Sequence, residues 1–146
     1  MKFSGKYGEY RVLAKLLERD MEAYLALRHN QSDYDITVIT SAKKVVRIQV
    51  KTAVLANKAT NNPFDIDREY DFLVAVIIEP ITTPNSDDSE VQQRSRFFIL
   101  TRDEAFAIKG TTSLLGLSQQ RNKVYQVKDA LLPFENQWSK IRDFSA

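Results

Sequence analysis

The sequence predicts a single α/β domain built on a mixed, largely antiparallel sheet with the first helix packed across it. Three stretches carry that expectation. "EYRVLAKLLER" repeats its apolar residues at helical spacing. "DITVITSAKKVVRIQVK" reads as two strands joined by a tight turn. "YDFLVAVII" is a continuous apolar run, as a strand buried on both faces requires. At 146 residues, 43% hydrophobic and 27% charged, the chain is long enough to bury a core as one domain over residues 1–146.

The elements follow in order. After Gly8, residues Val12, Leu13, Leu16 and Leu17 form one stripe. The helix should stop at Arg19, because Asp20 would fall on that stripe and Asp tolerates a left-handed stop. Met21, Ala23, Leu25 and Leu27 alternate as a strand would, with a continued helix as the alternative. Residues 35–40 form a short strand, "SAKK" turns, and residues 45–51 return with Val46, Ile48 and Val50 on one face and Arg47, Gln49 and Lys51 on the other. Residues 52–69 are mostly polar and contain a Pro, which reads as a loop of the kind that covers a site. Residues 70–78 should be the central strand. Residues 79–96 read as a surface connection and "FFIL" as another strand. Thr101 and Glu104 fit a capping box opening a short helix through Ala107, which Gly110 ends. Residues 111–123 have no clear pattern; "VYQV" reads as an edge strand, and Pro133 leads into a last helix with Trp138 and Ile141 on one face.

Composition narrows the chemistry. With no Cys and a single His, His29, disulfides, Cys/His zinc sites and a Cys nucleophile are excluded, and any metal would be held by oxygens. His29 reads as a surface loop residue. The net charge of +2, from 21 basic and 19 acidic residues, is compatible with a polyanionic partner without requiring one. The small basic clusters (Lys2, Lys6 and Arg11; Lys43, Lys44 and Arg47; Arg94 and Arg96; Arg121 and Lys123) read as solvated surface. No run approaches the roughly 18 apolar residues that cross a bilayer, and "MKFSGKYGEY" lacks the apolar core of a secretion signal, so the expectation is a cytoplasmic protein with no membrane contact. There is no P-loop, no GxGxxG and no G-x-S-x-G elbow, and "GKYG" is a weak match to a GxxG clamp.

Polar residues at the ends of the strands carry the functional expectation. Glu9 shares the apolar stripe of the first helix, which aims a carboxylate toward the sheet. Pairing position 40 with 45 would set Asp35 opposite position 50, close to Gln49 and Lys51, whose side chains share a face about 7 Å apart. Each residue has an ordinary reading, as a first-turn Glu in solvent, a turn-bonding Asp and two exposed strand positions. Together they suit Mg²⁺, which takes one or two carboxylates plus water and substrate phosphate. Asp35 would be the first ligand, Gln49 would offer its carbonyl oxygen, and Glu9 would add charge directly or through water. Lys51 would orient or activate an attacking water and steady charge on the phosphate.

The segments "GEYRVLAKLL", "YDITVI" and "IQVKT", followed by "EYDFLVAVII" and "RFFILT", resemble the PD-(D/E)XK nuclease superfamily over residues 8–101. The resemblance is clearest to its Gln-containing branch, which includes group I intron-encoded endonucleases and related bacterial proteins. It implies a restriction-endonuclease-like core, an active site of Glu9, Asp35, Gln49 and Lys51, a Mg²⁺ or Mn²⁺ cofactor, and DNA as the substrate of phosphodiester hydrolysis. By analogy it also implies a homodimer or homotetramer, to which the aromatic residues Tyr125, Phe134, Trp138 and Phe144 would contribute the contact. The chain departs from the pattern in carrying Tyr34 at the Pro position and in lacking an evident helix between the third strand and "FLVAVII". The alternative is a catalytically inactive nucleic-acid-binding or protein-interaction module of the same fold.

Overall fold

A computed structural model describes residues 1–26, 34–55, 64–81, 92–110 and 112–145. His29, Leu27 and residues 82–91 of the expected connection lie outside the described residues, and the described parts of that connection, 79–81 and 92–96, are not loop but paired strand.

The first helix, α1 (Ser4–Glu18), leads into β1 (Glu22–Leu25), β2 (Ile36–Ile39) and β3 (Val45–Val54). A two-residue strand, β4 (Phe64–Asp65), precedes β5 (Phe72–Ile81) and β6 (Gln92–Thr101). Next come α2 (Arg102–Ile108), β7 (Leu114–Leu115), β8 (Ser118–Arg121) and β9 (Val124–Val127). A 3₁₀ helix (Asp129–Phe134) and α3 (Ser139–Arg142) close the chain. The main sheet has five strands in the order β1-β2-β3-β5-β6. Only β3 and β5 run parallel, so the sheet is mixed and mostly antiparallel, as expected.

Alternation along the strands divides the interior into two cores. On one face, Val46, Ile48 and Val50 of β3 and Phe72, Val74, Val76 and Ile78 of β5 pack against Val12 and Leu16 of α1 and Trp138 and Ile141 at the C-terminus. On the other, Leu73, Ala75 and Ile77 of β5 meet Ala105 of α2, Ile66 and Tyr70 before β5, and Leu115, Leu117 and Leu131. This is why residues 72–78 are apolar without interruption: β5 has neighbours above and below. The C-terminal aromatics touch these cores to different depths. Trp138 is buried and its ring lies 5.7 Å from that of Phe97, Phe144 sits edge-on to Phe72, and Tyr125 and Phe134 pack on the second core.

Helix α1 starts a turn earlier than its stripe suggests, at Ser4, which puts Gly8 inside it and Glu9 in the second turn, not the first. A glycine within a helix costs about 1 kcal/mol of propensity, yet here the missing side chain is what packing needs. A Cβ on Gly8 would overlap the hydroxyl of Thr52 on β3 and lie 3.1 Å from its Cβ. The "GKYG" stretch is therefore helical and not a clamp loop. At the other end α1 stops as expected: Asp20 takes φ 59°, and the Met21 amide folds back to the Leu16 carbonyl at 3.1 Å.

The hairpin between β2 and β3 turns through Lys43, at φ 63°, with Thr40 Oγ1 accepting from the Lys44 amide at 3.1 Å. Because Thr40 belongs to the turn, pairing begins at Ile39 with Val45 and not at Thr40. The register is one residue away from the expected one, and Asp35 falls across from Gln49, not from position 50.

Between β3 and β5 the described residues contain no helix; β4 instead pairs with β7, Phe64 opposite Leu115. The C-terminal region joins the sheet through more than apolar contact. Thr101 and Glu104 form the expected capping box of α2, with Thr101 Oγ1 accepting from the Glu104 amide at 3.1 Å and the Glu104 carboxylate accepting from the Thr101 amide at 2.9 Å. Arg96 is not a solvated surface residue: its guanidinium forks onto Glu135 at 2.8 and 2.9 Å and also reaches Glu79 at 3.2 Å. "VYQV" is β9 of a separate two-stranded sheet with β8, not an edge of the main one. Its turn is made by Asn122 and Lys123, both at positive φ.

Candidate active site

The cleft that gathers the predicted residues owes its existence to unequal strand lengths. The β2–β3 ladder ends at the Ile36–Ile48 pair, whereas β3 runs on to Val54, paired with β5 on its other side. Beyond Ile48 the β2 side of β3 is met by Asp35 and then by the N-terminal half of α1. A cleft of about 370 Å³ lies there, lined by Gly5, Lys6 and Glu9 of α1, by Asp35, and by Gln49, Val50, Lys51 and Thr52 of β3.

The four expected site residues therefore share one cavity, although they reach it from different directions. Gln49 and Lys51 project from the face of β3 opposite α1, since Val50 between them belongs to the α1-side core. Glu9 comes from α1 itself. They meet because the cleft opens along the strand edge, where side chains of both faces are accessible.

Asp35 replaces a missing strand. Its Oδ2 accepts from the Val50 amide at 2.8 Å and from Gln49 Nε2 at 2.8 Å, while its own amide donates to the Ile48 carbonyl at 2.8 Å. The carboxylate thus caps the ladder and fixes the Gln49 amide in one orientation, nitrogen toward the acid. Gln49 is only 6% exposed, and its Oε1 is buried without a hydrogen-bond partner among the described residues. An orphaned buried acceptor costs about 1–3 kcal/mol, and here it sits in the wall of an acid-lined cleft. That is the donor set an oxygen-preferring cation takes: two carboxylates and a neutral carbonyl oxygen. Among the described residues no three His, Cys, Asp or Glu cluster, so the amide oxygen of Gln49 and the phosphate of a substrate would have to complete such a site.

Lys51 has its ammonium 5.3 Å from the centroid of the Phe64 ring on β4. The adjoining Asp65 is held below the ordinary carboxylate range, first by the hydrogen bond from the Asp67 amide at 2.9 Å and the Ser113 side chain, with smaller pulls from Arg68 and Lys51. Arg47, two residues before Gln49 on the same face, turns away from the cleft: its amide donates to Asp71 Oδ2 at 2.8 Å and its Nε lies 3.5 Å from the same oxygen.

The fold resembles that of a homing endonuclease. No protein-family model matches the chain, and no curated protein matches it. Among solved structures it is similar to a bacterial homing endonuclease, I-Ssp6803I, with a TM-score of 0.59 and 18% identity over 96% of this chain and 90% of that one. An identity this low carries the fold and leaves the chemistry to the site.

Sequence reasoning missed Lys6, Thr52 and Phe64. Lys6 reads with Lys2 and Arg11 as solvated surface, and Thr52 carries no signal beyond following Lys51. Phe64 lies in the segment that reads as a loop of the kind that covers a site, but nothing local singles out that residue within it.

Proposed function

We propose that this chain is a Mg²⁺-dependent DNA endonuclease that hydrolyses phosphodiester bonds, a member of the Gln-containing branch of the PD-(D/E)XK nucleases acting in the cytoplasm. The observation that carries the reading is the buried, partnerless Oε1 of Gln49 in a cleft shared with Glu9, Asp35 and Lys51. Likeness of fold to a homing endonuclease supports DNA as the substrate.

Asp35 and Gln49 would hold the cation, with Glu9 adding negative charge directly or through water; Mn²⁺ would substitute for Mg²⁺. When bound, the cation supplies Lewis-acid polarisation of a phosphate oxygen. The rest of the chemistry belongs to the chain. Lys51 orients the attacking water and offsets charge that develops on the phosphate. Lys6, across the same cleft, attracts the flanking phosphate. The backbone bonds to Asp35 keep its carboxylate from turning as substrate arrives, which lowers the reorganisation that accompanies the reaction. One such site cuts one strand, so cleavage of a duplex is expected from a homodimer or homotetramer.

The test is incubation of supercoiled plasmid and of branched DNA with Mg²⁺ or Mn²⁺, comparing wild type with Asp35→Ala and Lys51→Ala. Metal-dependent nicking by wild type alone is expected. Binding without nicking in either metal would replace the enzyme with a binding module.

A further inference from the structure

The lysine of the cleft is contacted from the segment between β3 and β5, where the chain departs from the pattern of the resemblance. Phe64 belongs to β4, a two-residue strand whose ladder among the described residues is to β7: Phe64 pairs with Leu115, Asp65 with Leu114, and the Ile66 amide donates to the Ser113 carbonyl at 2.9 Å. Leu115 is fully buried in the second core and Ile66 nearly so. The backbone of Phe64 is thus tied to β7 at Phe64 itself and through the two residues that follow it, and the Lys51 ammonium lies 5.3 Å from the centroid of its ring, within the range of a cation–π attraction.

We propose that Phe64 is a positioning residue whose ring is a shelf for the Lys51 ammonium at the cleft. The inference rests on the nuclease reading and adds to it a role for the C-terminal region, since β7 holds the shelf in place. A lysine has four rotatable side-chain bonds and loses much conformational freedom when fixed. A ring face that attracts the ammonium restricts those rotamers before substrate arrives, without neutralising the charge as a carboxylate would. Phe64 acts through Lys51 and does not touch the reacting atoms, so its loss should lower kcat and leave KM nearly unchanged.

Replacing Phe64 by phenylalanines of increasing ring fluorination keeps the shape of the side chain and drains the negative face of the ring. Two readouts are taken on the full chain: plasmid nicking in Mg²⁺, and the proton shifts of the Lys51 ε-methylene, which a ring beneath it moves upfield. Expected are an upfield shift in wild type that disappears in Phe64→Leu, and a kcat that falls about threefold to tenfold across the fluorinated series while Phe64→Tyr keeps the wild-type value. An ε-methylene shift that Phe64→Leu leaves unchanged, or a kcat indifferent to fluorination, overturns the shelf. A wild type that shifts as expected but nicks no DNA overturns the nuclease reading and, with it, the positioning role; the shift alone reports the contact, so the two failures are told apart.

Discussion

Gln49 Nε2 donates to Asp35 Oδ2 at 2.8 Å across the end of the β2–β3 ladder, and this single bond decides which end of the amide is left over. With the nitrogen committed to the acid, the oxygen is the free end, buried and partnerless among the described residues. A glutamate at this position would set two carboxylates against each other; a glutamine keeps an oxygen donor beside Asp35 without that repulsion.

Gln49→Met separates the structural from the functional part of this arrangement. The substitution removes a hydrogen bond to a charged acceptor, which costs about 1.5–3 kcal/mol, and also removes an unsatisfied buried acceptor, which returns about 1–3 kcal/mol. Urea denaturation should therefore find stability within about 1 kcal/mol of wild type. Metal-dependent nicking should fall at least about tenfold, the effect of losing one ligand interaction worth about 1.4 kcal/mol.

Gly8→Ala tests the close approach of α1 to β3. Alanine improves helix propensity by about 1 kcal/mol, but overpacking against Thr52 costs about 1–3 kcal/mol, so a net loss is expected in thermal or denaturant unfolding. Gly8→Ala combined with Thr52→Ala should recover part of it, because the overlapping hydroxyl is gone. A Gly8→Ala variant more stable than wild type would show that the helix can lift off the strand without penalty.

The Glu135–Arg96 fork gives a pH dependence with a definite sign. Hydrogen bonding to Arg96 holds the Glu135 carboxyl below the ordinary range despite the cost of burial. A carboxyl whose folded pKa is depressed contributes stability above its unfolded value, near about 4.3, and loses it as pH falls through the folded value. Denaturant midpoints measured from pH 6 to pH 3 should fall more steeply for wild type than for Glu135→Gln. Parallel slopes would mean that Glu135 titrates no differently in the folded chain.

Much of this fold was legible where local chemistry admits few outcomes. Asp20 marked the end of α1 because few residues accept a left-handed backbone, Thr101 and Glu104 announced α2 by reciprocal capping, and the apolar run through residue 78 marked a strand with two covered faces, which runs from 72 to 81 and not from 70 to 78. The misplacements have tertiary causes. Gly8 reads as a helix boundary until Thr52 is seen beneath it, Thr40 reads as a strand residue until its hydroxyl is seen closing the turn, and Asn122 with Lys123 lacks the glycine that usually signals such a hairpin. The candidate site was legible as residue types, a helix acid, a strand-opening Asp and a Gln-x-Lys. What the sequence did not carry was the path by which they meet, along the edge of β3 beyond the end of the β2–β3 ladder, nor the ring beside Lys51, which comes from a segment without periodicity.

The central claim is that Glu9, Asp35 and Gln49 gather a divalent cation beside a substrate phosphate. The most direct measurement is a Mn²⁺ titration of the ¹⁵N-labelled chain with a short DNA duplex present, followed by paramagnetic broadening of backbone amides. The expected result is that Glu9, Val50 and Lys51 broaden first, and that Asp35→Asn abolishes the effect. Broadening centred elsewhere, or unchanged in Asp35→Asn, would contradict it.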